Sequence, residues 1–180
     1  FAKRMMRQAI ADGSIPQECF AKTNSHCNHA VLSKQFFCDS LRVLHHPAGL
    51  GECDFGDCYD RAAHAPTSIA LQSWGIPRTA IRTLLLTMQT MQYVLKTGYG
   101  ESTACFGGTE DSPLSGLGQG SGASPPAFMA LSSLIVNAYR RLGHGAKISS
   151  SYTARLFWLS AVMYVDDTDL IHWGRERDMP

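Results

Sequence analysis

The chain has 180 residues, 44% hydrophobic and 17% charged, a balance found in folded globular domains and not in disordered or fibrous ones. That length is enough for one domain with a sizeable core. With 16 basic and 15 acidic side chains the net charge is +1, less basic than a self-sufficient nucleic-acid clamp usually is. No apolar run approaches the roughly 20 residues that span a bilayer, so no membrane partner is expected. The opening "FAKRMMRQAIADG" lacks the apolar core of a secretory signal, so an intracellular protein (nucleus or cytoplasm), not a secreted one, is expected. A chain that starts at Phe1 and stops at Pro180 also reads as a fragment of a longer protein.

In chain order, residues 2–12 read as the end of a helix and "GSIPQECFAKTNSH" as a loop. From Asn28 to His45 the apolar positions Ala30, Phe37, Leu41 and Leu44 recur at helical spacing, which predicts an amphipathic helix broken by "PAG". "LGECDF" is a short strand. Residues 62–74 predict a helix ended by Gly75, and Pro77 suits the first position of the next one. Ile81, Leu84, Leu85, Met88 and Met91 form its apolar face. "QYVLKTGYG" reads as a strand running into a turn, followed by a glycine-rich loop, a helix over 127–142 capped by Gly143, and a terminal hairpin. The sum is an α+β layout with a small sheet carrying acidic residues.

Six cysteines and seven histidines invite a zinc reading. The nearest approach to paired ligands is Cys53 with Cys58, and "HCNH" at 26–29, neither with a matching second half at the usual spacing. Free, mostly buried thiols and no zinc are therefore expected.

Three stretches carry chemistry. In "AVMYVDDTDLIHW", residues 161–173, Asp166 and Asp167 stand between two runs that read as tightly joined strands. Asp is a good turn residue, but two-residue hairpin turns demand positive φ and favour Asn-Gly or Asp-Gly. Two adjacent carboxylates repel, and a divalent cation is the partner that hard oxygen ligands prefer. In "ECDFGDCYDR", residues 52–61, Asp54 ends a strand while Asp57, Tyr59 and Asp60 crowd the turn. Asp60 there suits a helix cap. Asp54 instead suits a place beside the Asp166–Asp167 pair on a neighbouring strand, where three carboxylates stay ionised only if metal ions neutralise them. In "GLGQGSGASPP", residues 116–126, glycines precede a helix start, an arrangement able to cradle phosphate or to serve as a flexible loop.

Taken together and in order, "DFGDCY", "QGSGASP" and "YVDD" resemble the motifs D-x-x-x-[AC]-[FY], Q-G-x-x-[GA]-S-P and [YF]-x-D-D of the reverse transcriptase palm. The resemblance spans most of the chain. "IPQECFAKTNSHCNHAVL" is similar to the finger region, and "CYDRAAH", "ALQSWGIP", "KTGYGES" and "VDDTDL" look like a group of eukaryotic retroelement polymerases. It implies one partial polymerase domain, with fingers-side helices over about residues 1–50 and a palm-type small antiparallel sheet on helices over about 51–180, the thumb absent.

The implied activity is RNA-directed DNA polymerisation by two-metal phosphoryl transfer, with two magnesium ions (manganese as a substitute) held by Asp54, Asp166 and Asp167 and with Phe55 beside them. The main chain of Phe55, Gly56, Asp57 and Cys58 would lie near the triphosphate. Tyr59 would be the plate under the incoming sugar that excludes a 2′-hydroxyl, and Gln119 and Gly120 would touch the nucleotide. Tyr164, Val165, Ser124 and Pro125 would lie on the primer and template side. The partners implied are an RNA or DNA template, a primer, deoxynucleotides and the rest of a polyprotein. The family's basic finger residues would lie before Phe1, and its primer-gripping hairpin and thumb after Pro180, so the fragment alone is expected to be inactive. Pro126 departs from the family's pattern, though proline is tolerated in a helix's first turn. An RNA-dependent RNA polymerase would carry a carboxylate at Tyr59. The alternative reading is an inactive remnant that keeps the fold or only binds nucleic acid.

Overall fold

The structure is a computed structural model that describes residues 2–150 and 152–174; Phe1, Ser151 and the end of the chain from residue 175 to Pro180 lie outside the described residues. The described elements run α1 (Ala2–Ala11), α2 (Cys27–Val43), β1 (Ala48–Asp54), α3 (His64–Ser73), α4 (Arg78–Gln89), β2 (Gln92–Thr97), β3 (Gly100–Gly107), α5 (Ser124–Arg141), β4 (Ala146–Ser149), β5 (Leu156–Leu159), β6 (Ala161–Tyr164) and β7 (Asp167–Trp173). The small sheets are antiparallel, so the α+β reading holds. The chain forms two compact units that interleave in sequence: Phe1–Gln8 with Asp57–Leu131, and Ala9–Gly56 with Ser132–Pro180.

In the first unit α3 packs on α4. Thr67, Ala70, Leu71 and Trp74 recur at i, i+3, i+4 and i+7 and are buried, as are Ile81 and Met88 of α4. α3 stops at Gly75, whose φ of +73° only glycine adopts without strain. The Gly75 amide bonds Gln72 O at 2.9 Å and the Ile76 amide bonds Leu71 O at 3.1 Å, while Leu71 and Ile76 are both buried. That pair of bonds is a Schellman C-cap with its apolar contact. Pro77 precedes α4 as its N-cap, one place earlier than its φ alone suggested. α3 starts at His64 behind the N-cap Ala63, so Asp60 does not cap it. β2 and β3 form a hairpin.

In the second unit β1, β7 and β6 form a sheet in that order, and β4 pairs with β5. α2 covers the sheet through Ala30, Phe37 and Leu41, which join Ala146, Leu159, Val162 and Ile171 in one apolar cluster. Leu44 falls at the α2 C-cap and is 49% exposed, outside the buried face expected for it. The segment 18–20 runs beside β6: the Met163 amide bonds Glu18 O at 2.9 Å and the Phe20 amide bonds Met163 O at 2.8 Å. Glu18 itself is fully buried, its Oε1 accepting from Ser160 Oγ and pairing with Arg140, both at 2.9 Å.

Two further expectations fail. All six cysteines are free, but only Cys19 and Cys58 are buried; Cys27, Cys53 and Cys105 are exposed because they sit at a helix start, on the edge strand β1 and on an open hairpin. The last helix begins at Ser124, three residues before the expected start, with Pro125 and Pro126 in its first turn.

Candidate active site

Antiparallel pairing decides where the carboxylates go. β7 is the central strand, and directly opposed residues on an antiparallel pair share a face. Asp54 ends β1 opposite Asp167, which opens β7 opposite Tyr164 of β6. Residues more than a hundred positions apart in sequence thus stand on one rung.

The hairpin tip differs from the one expected. The two turn residues are Val165 and Asp166, and Asp167 already belongs to β7. Val165 has φ +58° while Asp166 does not have positive φ, so the turn has its left-handed residue first, a place that favours glycine. A β-branched residue there is an outlier of the kind that clusters at functional sites and costs of order 1–3 kcal/mol.

Two residues further along the same face lies a second acidic rung, Glu52 opposite Asp169. This one is compensated: Lys34 of α2 places Nζ 2.8 Å from Glu52 Oε1 and 3.0 Å from Asp169 Oδ2. Hydrogen bonding to Glu52, and then to Asp169, holds the Lys34 ammonium above its ordinary pKa against partial burial, and Lys34 holds the exposed Glu52 carboxyl below its own. Asp54, Asp166 and Asp167 have no ion pair or side-chain hydrogen bond among the described residues. Lys34, Glu52, Asp54, Tyr164, Asp167 and Asp169 all line one cleft of about 440 Å³. Among the described residues no three His, Cys, Asp or Glu side chains form a group able to hold a metal ion.

The main chain near Asp54 is already engaged. The Phe55 amide donates to Asp166 O at 3.4 Å, which ties the end of β1 to the turn, and the Gly56 amide donates to Asp54 O at 3.2 Å.

The other expected site residues belong to the first unit and are described within it. Asp57 has φ +53° and pairs with Arg61 at 3.3 Å, both side chains exposed. Cys58 is buried. Tyr59 is half-buried with its ring edge-on to Phe128 of α5, centroids 5.8 Å apart. Gln119 and Gly120 are exposed on the glycine loop, Gly120 with φ +90°. Ser124 is buried and its hydroxyl donates to the carbonyls of Leu117 and Gly118, while Pro125 is exposed.

The motif reading passed over Lys34, Glu52 and Asp169. The signal was there in period 2: Glu52 with Asp54, and Asp167 with Asp169, fall on the same face of their strands. No family model and no curated protein matches the chain.

Proposed function

We propose that the chain carries the palm of an RNA-directed DNA polymerase of a eukaryotic retroelement, which adds deoxynucleotides to a primer 3′-hydroxyl on an RNA or DNA template. The observation that carries this reading is the rung of Asp54 and Asp167 with no cation beside it among the described residues, next to the Asp166 turn and two residues along the sheet from an acidic rung that Lys34 bridges. Like charges directly opposed across strands are destabilising. A fold that supplies a cation to one rung and none to the next leaves the second fit for a divalent ion by donor type, since hard cations take carboxylate oxygens. The left-handed Val165 in the adjoining turn is a further support, because such strain persists where function needs it.

The resemblance gives Asp54, Asp166 and Asp167 as the holding residues, with Phe55 beside them, although the three side chains do not converge into one group in this structure; magnesium (or manganese) bound there would activate the primer hydroxyl and offset charge on the triphosphate and the leaving pyrophosphate. The remaining roles belong to the chain itself. The Phe55 amide on Asp166 O ties the β1 end to the turn that carries Asp166. By the resemblance, the backbone from Phe55 to Cys58 would lie by the triphosphate. Tyr59, its ring braced by Phe128, would stand under the sugar and select against a 2′-hydroxyl. Gln119 and Gly120 would contact the nucleotide, and Ser124 and Pro125, which start α5, would lie on the primer and template side. Tyr164 and Val165 lie by the primer end.

The test is primer extension on an RNA template with magnesium and deoxynucleotides, using the protein together with whatever flanks it in its reading frame, beside Asp166→Ala. Extension lost in the variant supports the reading. No extension from folded, primer-binding protein replaces it with a remnant that binds nucleic acid without copying it.

A further inference from the structure

We propose that His64 is a positioning residue that latches the glycine loop over 116–118 to the segment bearing Tyr59, and so sets the position of Gln119. Nothing in the three motifs involves His64, and its surroundings explain why a histidine is used. Gly116 is buried with φ +82°, and a Cβ on it would lie 2.5 Å from Asp60 O and 2.7 Å from Asp60 Cα. Only glycine brings the loop backbone that close to the Asp60 backbone. The approach leaves the Gly116 carbonyl in need of a donor, and His64 Nε2 supplies it.

A carbonyl only accepts, so the proton is on Nε2 and the other ring nitrogen is left as an acceptor. The Gln89 side-chain amide donates to that Nδ1 at 3.0 Å. His64 opens α3 and Gln89 closes α4, so the two bonds join two helix ends to the loop. The Leu114 amide, just before the loop, bonds Gln89 O at 3.0 Å.

The next residue completes the link. Leu117 is fully buried and its amide donates to Tyr59 O at 2.7 Å. Ser124 Oγ then fastens the far side, its one proton shared between the carbonyls of Leu117 and Gly118. Gln119 follows directly. The Tyr59 backbone and the Gln119 loop are therefore one assembly whose near end is fixed by His64.

The activity arm of the test rests on the polymerase reading; the exchange arm does not. In the protein together with its flanking reading frame, His64→Gln and His64→Asn are compared. A Gln amide nitrogen stands at the same number of bonds from the backbone as Nε2, and an Asn amide nitrogen at that of Nδ1, so only Gln reaches Gly116 O. Amide exchange at Leu117 stays at the wild-type rate in His64→Gln and is about tenfold faster in His64→Asn, the expected local loosening. In primer extension, kcat/KM for deoxynucleotides is kept by Gln and falls about tenfold to a hundredfold with Asn, the scale of a misplaced positioning contact. Discrimination against ribonucleotides falls with it. Equal behaviour of the two variants, or wild-type Leu117 exchange in His64→Asn, overturns the latch. A folded, primer-binding wild-type protein, carried together with its flanking reading frame, that extends no primer but gives the predicted exchange pattern overturns the polymerase reading and leaves the latch standing.

Discussion

Replacing Asp54 by Asn should make the metal-free protein more stable. The two carboxylates of the Asp54–Asp167 rung are exposed and directly opposed, and opposed Cβ atoms lie about 4.5–5.5 Å apart. At a charge separation of about 6 Å, two like charges repel by about 0.7 kcal/mol in bulk water and about 2.8 kcal/mol at the effective dielectric of a protein surface. Exposure puts this pair toward the lower figure, about 1 kcal/mol, close to the upper end measured for cross-strand pairs. Asn keeps the shape and removes the charge, so Asp54→Asn raises Tm by about 2–4 °C in metal-free, low-salt buffer. The gain shrinks in about 1 M salt, where the Debye length falls to about 3 Å. Adding manganese reverses the order, because an ion that binds only the folded wild type stabilises it by mass action. Thermal melts with EDTA, with EDTA and salt, and with manganese read all three effects. A Tm that falls in EDTA, or a gain unchanged by salt, refutes the argument that this rung is held together against charge repulsion.

Other consequences are as direct. Glu18→Gln removes the charge that a half-buried Arg140 guanidinium faces; with 28% of the Arg140 side chain exposed the cost falls below that of a fully buried pair, to about 2 kcal/mol, read as a Tm drop of about 4–8 °C. Val165→Asn puts a residue that tolerates the left-handed region at φ +58° and stabilises the fold by about 1 kcal/mol in denaturant titration. Tyr59→Val relaxes the preference for deoxynucleotides over ribonucleotides in extension assays, and unchanged selectivity would remove its role as the plate under the sugar. Burial pushes the Cys19 thiol up to about 11, so at about pH 8, below even an ordinary thiol pKa, iodoacetamide leaves Cys19 unmodified while Cys27, Cys53 and Cys105 react first, as peptide mass spectrometry would read.

What the sequence made legible follows the strength of its periodicity. α2, α3 and α4 carry buried residues at helical spacing, and Gly75 ends α3 as read, because caps and long amphipathic runs are local signals. β3 was passed over because "GESTACFG" is poor in β-branched residues; its strand is made by pairing with β2 and not by its own propensity. β4 and β5 are four residues each, too short to declare a period. The apolar run "LSAVMYV" hid a break at Ser160, whose hydroxyl is taken by the buried Glu18, a partner far away in sequence. The placement of Asp54 on a strand beside Asp167 was legible from residue type and order, but the Lys34 clamp was not, since it joins a helix to two strands. The His64 latch was invisible for the same reason: its meaning lies in a carbonyl that only the folded loop brings to it.

The central claim is that two strands present carboxylates to one shared divalent cation, and a double-mutant cycle on manganese binding tests it most directly. Binding is measured for the wild type, Asp54→Asn, Asp167→Asn and the double variant. If one ion is shared, each single substitution weakens binding about tenfold or more and the double adds little, a coupling within the usual 0.5–3 kcal/mol for residues in contact. Losses that simply add, or manganese binding that neither substitution changes, would contradict the account.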